Sequence, residues 1–407
     1  MTINSFSRLG TANMYANAVD NIGARQGSLA TLQQSLTSGS KINKLSDDPM
    51  GAAQAERDMT RIARIQSDQK ALGLQTDALT SAESTLGNTV TAMQSFRQLV
   101  VSAGDATLTP TDRQTIAQQL TQLRDQIFSL SNTKDANGNP LFGALGSALA
   151  PFVQNSNAPA SYTFAGVAGQ TSSTAVSIPA ALNGDQAFML KPAQDASYNV
   201  SYSANVGQSS TSAVTLQPPP AAPVTGNDYQ IQFNVVAGVT QYTVTQLPPS
   251  PAAPVVGTPT NYTSGTPINF DGLSLTVSGT PQAGDTMNLQ SNSSIFGVLD
   301  RAISDIGGAT SSTAASQAVG QALGNIDIGI NHLQAARGLA GALMNRSDTI
   351  NAAETASATQ AQADQSSAKD VNMVQAISDF QNQQTAYSAA LKSYAQIQQL
   401  SLFNYIP

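Results

Sequence analysis

The residues of this chain that could do chemistry are few and scattered. The sequence has no Cys and a single His among its 407 residues, which excludes thiol catalysis, disulfides and cysteine-based zinc sites. The lone His332 stands beside Leu333 in a helical pattern, and no nucleophile elbow accompanies it. We therefore interpret His332 as an ordinary helical residue and predict no catalytic residues.

Two polar stretches resemble sites for protons or cations. Asp47 and Asp48 are adjacent and precede Pro49, a pattern typical of a turn followed by a helix N-cap. Asp135, Asn137 and Asn139 have the alternating spacing with which a calcium loop begins, but no glutamate closes that loop. We predict no metal-binding or cofactor-binding residues, and no cofactor.

Composition favours a structural protein over a nucleic-acid-binding one. Charged residues make up 11% of the chain and the net charge is −7, which argues against nucleic acid as a partner. Low charge also lessens repulsion between copies packed at high density. No stretch has the length and hydropathy of a membrane span or signal peptide. We expect either a cytosolic protein or export without a cleaved signal.

Both ends of the chain carry a stripe in which the steps alternate between three and four residues. This spacing places the members on one helix face and predicts a coiled-coil seam. Each stripe includes two glutamines, which lower stability and select register and partner. We predict terminal helices that fold on assembly with each other and with neighbouring copies. The predicted assembly and partner-binding residues are Tyr15, Val19, Ile22, Leu29, Leu36, Met373, Ile377, Phe380, Tyr387, Leu391 and Tyr394.

The sequence between the stripes changes from helical to β-rich and back. Pro49 begins a long helix that ends near Ala103, and Thr109 to Asp112 carry the cap signals of the next helix. Alternating residues at 229–235 and 241–245 predict a hairpin. Residues 273–277 predict another strand, and helical periodicity returns after Ser293.

This order predicts an α+β protein. Both chain ends form a long antiparallel α-helical bundle or coiled coil, and an all-β outer domain is inserted between them. We assign residues 1–40 and 368–407 to terminal assembly helices. Residues 41–146 and 291–367 form a helical core domain, and residues 147–290 form the β-rich outer domain.

Three segments resemble the bacterial flagellins and their relatives. The stretch SGSKINKLSDDPMGAA at 38–53 is similar to the family signature, RGLAGALMNR at 337–346 to its second conserved half, and SLFNYI at 401–406 to its ending. Other details favour the hook-associated members over flagellin itself. These are Pro49, where flagellin usually has alanine, the turn NGNPLFG at 137–143, and SGTPQAGD at 278–285.

The resemblance implies a hook–filament junction adaptor. Such proteins form a ring of copies that joins the flagellar hook, through hook-associated protein 1, to the flagellin filament. It further implies export through the flagellar type III pathway, an extracellular location in the flagellum, and a cytosolic chaperone on the C-terminal helix. The implied partners are thus copies of the chain itself, hook-associated protein 1, flagellin and the chaperone, without nucleic acid or membrane insertion.

Two alternatives remain open at this point. The first is a flagellin filament subunit, which Pro49 and the segment near Gly279 disfavour. The second, of another class, is a secreted surface protein with an activity in the β insert. Residues 147–290 hold no cluster of His, Cys or carboxylates at the spacing of a metal site or nucleophile, which disfavours an enzyme.

Overall fold

A computed structural model describes residues 4–155, 161–218, 223–247 and 258–403. Part of the predicted C-terminal family ending, residues 404–406, lies outside these ranges. The helices are α1 Asn4–Ser38, α2 Pro49–Ala103, α3 Pro110–Ser131, α4 Gly184–Phe188, α5 Pro192–Asp195, α6 Ile295–Gly307, α7 Ser312–Lys369 and α8 Met373–Phe403. The strands are β1 Phe152–Asn155, β2 Ser161–Phe164, β3 Tyr198–Ala204, β4 Ser210–Thr211, β5 Thr215–Leu216, β6 Tyr229–Val236, β7 Val239–Gln246, β8 Thr260–Asn261, β9 Pro267–Phe270, β10 Leu273–Ser278 and β11 Thr286–Ser291.

The predicted starts of α2 and α3 are confirmed. Both are fixed by caps that involve residues only a few positions apart. The Asp48 carboxylate accepts a hydrogen bond of 2.9 Å from the Gly51 backbone N–H at the start of α2. Thr109 and Asp112 form a reciprocal capping box at α3, with bonds of 2.9 and 3.3 Å. Each cap satisfies backbone N–H groups that have no partner within their own helix.

The chain packs as two compact units. The first contains the described residues up to Gln69 and those from Ala352 onward, and the second contains residues 70–351. Helices α2 and α7 continue from one unit into the other. The predicted α+β class, with long helices at both ends and antiparallel sheets between them, is confirmed. The three predicted domains, with boundaries at residues 40, 146, 290 and 367, stay a prediction.

The second unit has two hydrophobic cores, and the predicted β-rich region is divided between them. Residues 152–155 and 161–190 contribute buried side chains to the helical core of α2, α3, α6 and α7. Phe152 packs at 5.1 Å from Phe188 and 5.6 Å from Phe296, measured between ring centroids. The Tyr162 hydroxyl donates to the Asp300 carboxylate of α6 at 2.6 Å and accepts from Arg124 of α3 at 2.9 Å. These residues therefore belong with the helices, although their turn-rich sequence predicted an outward-facing insert.

The second core lies between two antiparallel sheets. One sheet has the strand order β3-β11-β6-β7-β8, and in the other β10 pairs with β4, β5 and β9. The predicted hairpin is confirmed as β6 and β7, joined by Ala237 and Gly238 at φ values of 50° and 79°. Positive φ at both positions is the requirement of a type I′ turn. Inward-facing residues such as Ile231, Phe233 and Leu275 are buried.

The chain enters and leaves this β-sandwich at one point. The Asn292 N–H donates to the Ser197 carbonyl at 2.8 Å, and the Ser197 hydroxyl donates to the Asn292 carbonyl at 2.9 Å. Ends that meet in this way are typical of an inserted domain. Ser197 and Asn292 thus mark the two ends of the β-sandwich.

A buried carboxylate organises the segment SGTPQAGD. Asp285 is fully buried and accepts hydrogen bonds from the backbone N–H groups of Val206, Gly207 and Gln282, at 2.7, 3.0 and 2.9 Å. Burial by itself would raise the pKa of Asp285, but these backbone donors outweigh it and hold the pKa below its usual value. The carboxylate therefore fixes two loops of the sandwich to each other.

We expect Asp285→Asn to destabilise the chain at neutral pH by about 1–3 kcal/mol, because an amide cannot accept all three bonds. Since the folded-state pKa of Asp285 is lowered, its stabilisation is present above the ordinary Asp pKa of 3.8 and is lost as the pH falls below it. Urea unfolding followed by tyrosine fluorescence measures this difference, with Asp77→Asn at an exposed position as control. A loss of stability equal at neutral and acid pH would contradict this account.

Candidate assembly interface

Helices α1 and α8 pack antiparallel in the first unit. Near one end the rings of Tyr15 and Tyr394 make an edge-to-face contact, with centroids 5.9 Å apart. At the other end Ser40 and Asp370 form an antiparallel bridge. The sequence prediction that the two chain ends pair with each other is confirmed by this arrangement.

The register of the α1 seam differs from the predicted one by one residue at every second position. Tyr15, Ile22, Leu29 and Leu36 are half-buried, as predicted, but Val19 is 52% exposed. The positions between them that are also half-buried are Ala18, Arg25 and Leu32. Two heptad series share Tyr15, Ile22, Leu29 and Leu36 and differ at the positions between them. The predicted series took the apolar Val19 as the next member after Tyr15. In the structure the series with Ala18, Arg25 and Leu32 forms the seam, because α8 covers that side of α1.

Helix α8 shows the same displacement. Phe380, Tyr387 and Tyr394 are half-buried, as predicted, whereas Ile377 and Leu391 are 46% and 42% exposed. The intervening covered positions are Ala376, Gln383 and Ala390. The predicted seam glutamines Gln26, Gln33, Gln384 and Gln398 are all exposed. They therefore do not weaken the contact between the two helices, which was the role predicted for them.

The displaced residues are apolar side chains that lie outside the internal seam. We call Val19, Met373, Ile377 and Leu391 the outer stripe. Each has 42% to 52% of its surface exposed. All four belong to the set predicted to bind partners, and that assignment stays a prediction. Singly exposed apolar residues are common, but four on two paired helices are available for contact with other chains.

The segment that resembles the family signature holds the ends of the helices together. We call residues 38–48 and 366–371 the clasp. The Lys41 N–H donates to the Lys369 carbonyl at 2.8 Å, and the Val371 N–H donates to the Gly39 carbonyl at 3.0 Å. Gly39 has a φ of 69°, a conformation that other residues rarely adopt. The clasp thus ties the α1–α2 loop to the junction of α7 and α8.

Gly51 packs against the clasp, and we expect Gly51→Ala to destabilise the first unit by about 0.5–2 kcal/mol, because the Asp48 side chain must move and its cap hydrogen bond to the Gly51 N–H is weakened. A Cβ at this position would lie 2.3 Å from an oxygen of Asp48 and 2.9 Å from the Cδ1 of Ile42. Gly27→Ala is the matched control, because nothing lies within 4 Å of its Cβ position. That control should raise helix stability by about 0.5–1 kcal/mol. Thermal unfolding by circular dichroism measures both, and equal effects of the two substitutions would contradict the steric account.

The residues that could have been catalytic or metal-binding make structural contacts instead. His332 of α7 lies 3.1 Å from the Asp195 carboxylate and 3.1 Å from the Gln186 carbonyl, and so connects α7 to α4 and α5. The Asp135 carboxylate accepts from the backbone N–H groups of Asn137 and Asn139 at 2.9 and 2.8 Å. It closes its own turn in this way. In the described ranges no group of three or more His, Cys, Asp or Glu could hold a metal ion.

No helix in the described part of the chain is long and apolar enough to span a membrane.

Comparison with known proteins identifies two regions. Residues 9–145 match the bacterial flagellin N-terminal helical region. Residues 197–291 match the D2-like domain of flagellar hook-associated protein 1, and these bounds coincide with the β-sandwich between Ser197 and Asn292.

Individual relatives agree with these matches. The chain is 33% identical over 149 residues to flagellar hook-associated protein 3 of Salmonella typhimurium, covering 36% of this chain and 46% of that protein. The alignment therefore spans less than half of the length of this relative. The flagellin of Clostridium tyrobutyricum is 29% identical over 128 residues, covering 31% of this chain and 34% of that protein.

A solved structure extends the likeness to most of the chain. The crystal structure of flagellar hook associated protein-3 from Legionella pneumophila superposes with a TM-score of 0.62 at 26% identity, covering 76% of this chain and 97% of that one. The chain is therefore similar in its N-terminal region to the bacterial flagellins and, over most of its length, to flagellar hook-associated protein 3.

Proposed function

We propose that this chain is a structural adaptor of the bacterial flagellum. Copies of it assemble as a ring that joins the hook, through hook-associated protein 1, to the flagellin filament. The observation that carries this proposal is the combination of two matches in one chain. A flagellin-type N-terminal region carries an outer domain of the type found in hook-associated protein 1. Such a chain has one part suited to pack with filament subunits and another related to the hook side.

The outer stripe supports self-assembly. The residues of the outer stripe lie outside the seam between α1 and α8. Neighbouring copies can therefore bury them. Burying a side chain of this size contributes roughly 1.5–3 kcal/mol. The predicted members inside the seam, such as Tyr15 and Tyr394, would act indirectly by keeping the two helices paired.

We further propose an extracellular location in the flagellum and export through the flagellar type III pathway. A cytosolic chaperone would cover α8 before export. The exposed apolar residues at the start of α8, Met373, Val374 and Ile377, support a protein partner on this helix. Helix-in-groove recognition uses apolar anchors of this spacing.

A non-catalytic role is part of the proposal. His332, Asp135 and Asp285 all bind groups of the chain itself, and the relatives bear the names of flagellar proteins. An enzyme with an activity in the insert has no arrangement of side chains to support it among the described residues. The main alternative is that the chain is a flagellin filament subunit, which the Clostridium relative supports.

Seeded growth separates adaptor from filament subunit. Purified chain is added to short flagellin seeds and to hook fragments that carry hook-associated protein 1, and the products are examined by electron microscopy. We expect the chain to bind hook fragments as a band of limited length and to permit growth of added flagellin. Long filaments made of the chain alone would support the flagellin reading and overturn the adaptor proposal.

A further inference from the structure

The seam between α2 and α7 in the first unit contains carboxylates at buried positions. Gln69 of α2 donates from its amide to the Thr355 hydroxyl of α7 at 3.3 Å, which locates the contact between the helices. Ile65 and Ala361 are buried in this stretch, as expected of a seam. Glu354 is only 6% exposed. A buried carboxylate is costly unless it is paired and hydrogen-bonded.

Glu354 has neither form of compensation within the described structure. Both of its carboxylate oxygens are buried without a hydrogen-bond partner. The charge facing it from α2 is that of Asp68, which has the same sign. Burial, and then the charge of Asp68, raise the pKa of Glu354. Glu354 and Asp68 therefore form an acidic pair that makes no ion pair with any described residue.

An unpaired set of cations lies on the exposed side of α2. Arg57, Arg61 and Arg64 are separated by steps of four and three residues, which puts them on one helix face, and all three are exposed. Arg57 donates only to the Gln54 side chain. In the part of the chain that the structure describes, none of the three makes an ion pair. We call these residues the arginine stripe.

We propose that Glu354 and Asp68 form an acceptor site for a guanidinium from the arginine stripe of a second copy of this chain. The inference rests on the proposed self-assembly and deepens it by naming a pair of surfaces. A guanidinium can donate to two carboxylate oxygens at once, which suits it to a site with two acidic groups. Asp68 is half-buried and close enough to Glu354 to raise its pKa, so the acidic pair is open to a guanidinium from outside on its Asp68 side.

The choice of a second copy follows from charge complementarity. Charged residues are only 11% of the chain, yet the same two helices carry an unpaired acidic site and an unpaired cationic stripe. Every copy carries both surfaces. Each copy in a ring can therefore present its arginine stripe to the Glu354–Asp68 pair of one neighbour and bind the arginine stripe of the other neighbour. Such a head-to-tail contact closes when the rotation between copies closes. The monomer bears the cost of the buried carboxylate, and the assembly removes it.

This account predicts opposite effects of Glu354→Gln on the monomer and on the assembly. In the full-length monomer the substitution should raise the thermal unfolding temperature, because a neutral amide is less costly to bury. In assembly onto hook fragments the same variant should bind more weakly by about tenfold or more, since the arginine loses its charged acceptor. A carboxylate that is only a structural defect would give improvement in both measurements.

A double-mutant cycle tests the partner. The triple variant R57Q/R61Q/R64Q should weaken assembly without lowering the unfolding temperature, and combining it with E354Q should add little further loss. Lys70→Gln, which removes an exposed cation of α2 outside the stripe, is the control and should leave assembly within about twofold.

The outcomes are separable. Unchanged or improved assembly of E354Q, or fully additive losses in the cycle, would overturn this inference while the adaptor proposal stands. A wild-type chain that does not assemble on hook fragments would overturn the adaptor proposal, and this inference with it.

Discussion

A chain in which residues 198–291 are replaced by two glycines is expected to keep its helical core folded. Ser197 and Asn292 already hydrogen-bond to each other at 2.8 and 2.9 Å, so a short linker joins them without strain. The helix surface uncovered by the deletion includes the polar side chains of Gln321 and Asn325, which hydrogen-bond to the sandwich. Water can replace those bonds. Circular dichroism should record a cooperative thermal transition and retained helix content.

Deletion of residues 147–290, the wider β-rich region predicted from sequence, should have the opposite outcome. It also removes Phe152, Tyr162 and Phe188, which are buried in the helical core. Loss of one buried aromatic side chain costs about 3–5 kcal/mol, and a whole domain has only about 5–15 kcal/mol of stability. We expect this chain to lose cooperative unfolding. Equal stability of the two deletions would show that the boundary at Ser197 is wrong.

Leu391→Asp is expected to weaken self-assembly by about a hundredfold or more while leaving the monomer intact. Leu391 is 42% exposed and lies outside the internal seam, so its replacement should change monomer stability by about 1 kcal/mol, mostly because Asp is a poorer helix former. In an assembly the same position would be buried, and a charge there loses the apolar contact and must be desolvated as well. Binding to hook fragments by sedimentation measures the effect, and chaperone pull-down measures whether the same face serves both partners.

Lys392→Asp is the matched control for that substitution. It introduces the same side chain one position along α8, where the wild-type residue is charged and exposed. We expect assembly close to that of the wild type. If Lys392→Asp were damaging and Leu391→Asp harmless, the assignment of the outer stripe to copy–copy contact would be wrong.

The features that depend only on residues close together in the chain were predicted correctly from the sequence. The caps at Asp48 and Thr109 and the turn at Ala237 and Gly238 depend on neighbours within a few residues, and all were predictable. The pairing of the chain ends followed from their shared periodicity. The register of that pairing did not, because Ala18 and Arg25 give no apolar signal and the alternative series contains Val19.

Features that depend on distant contacts were missed. Residues 152–155 and 161–190 join the helical core through aromatic side chains on short strands and loops, and no periodicity marks such contacts. Asp285 stood in a recognised segment, but its role depends on Val206 and Gly207, far away in the chain. Glu354 lies in a stretch rich in Ala, Thr, Gln and Ser, where burial of a carboxylate leaves no trace in the composition.

The position of the chain in a finished flagellum tests the adaptor proposal most directly. The gene is expressed in a flagellated strain that lacks its own hook–filament junction protein, and the chain is located by immunogold electron microscopy with an antibody against residues 198–291. The adaptor proposal predicts restored filaments with label confined to a narrow band between hook and filament. Label along the whole filament, or label absent from flagella that have nevertheless regained filaments, would contradict it.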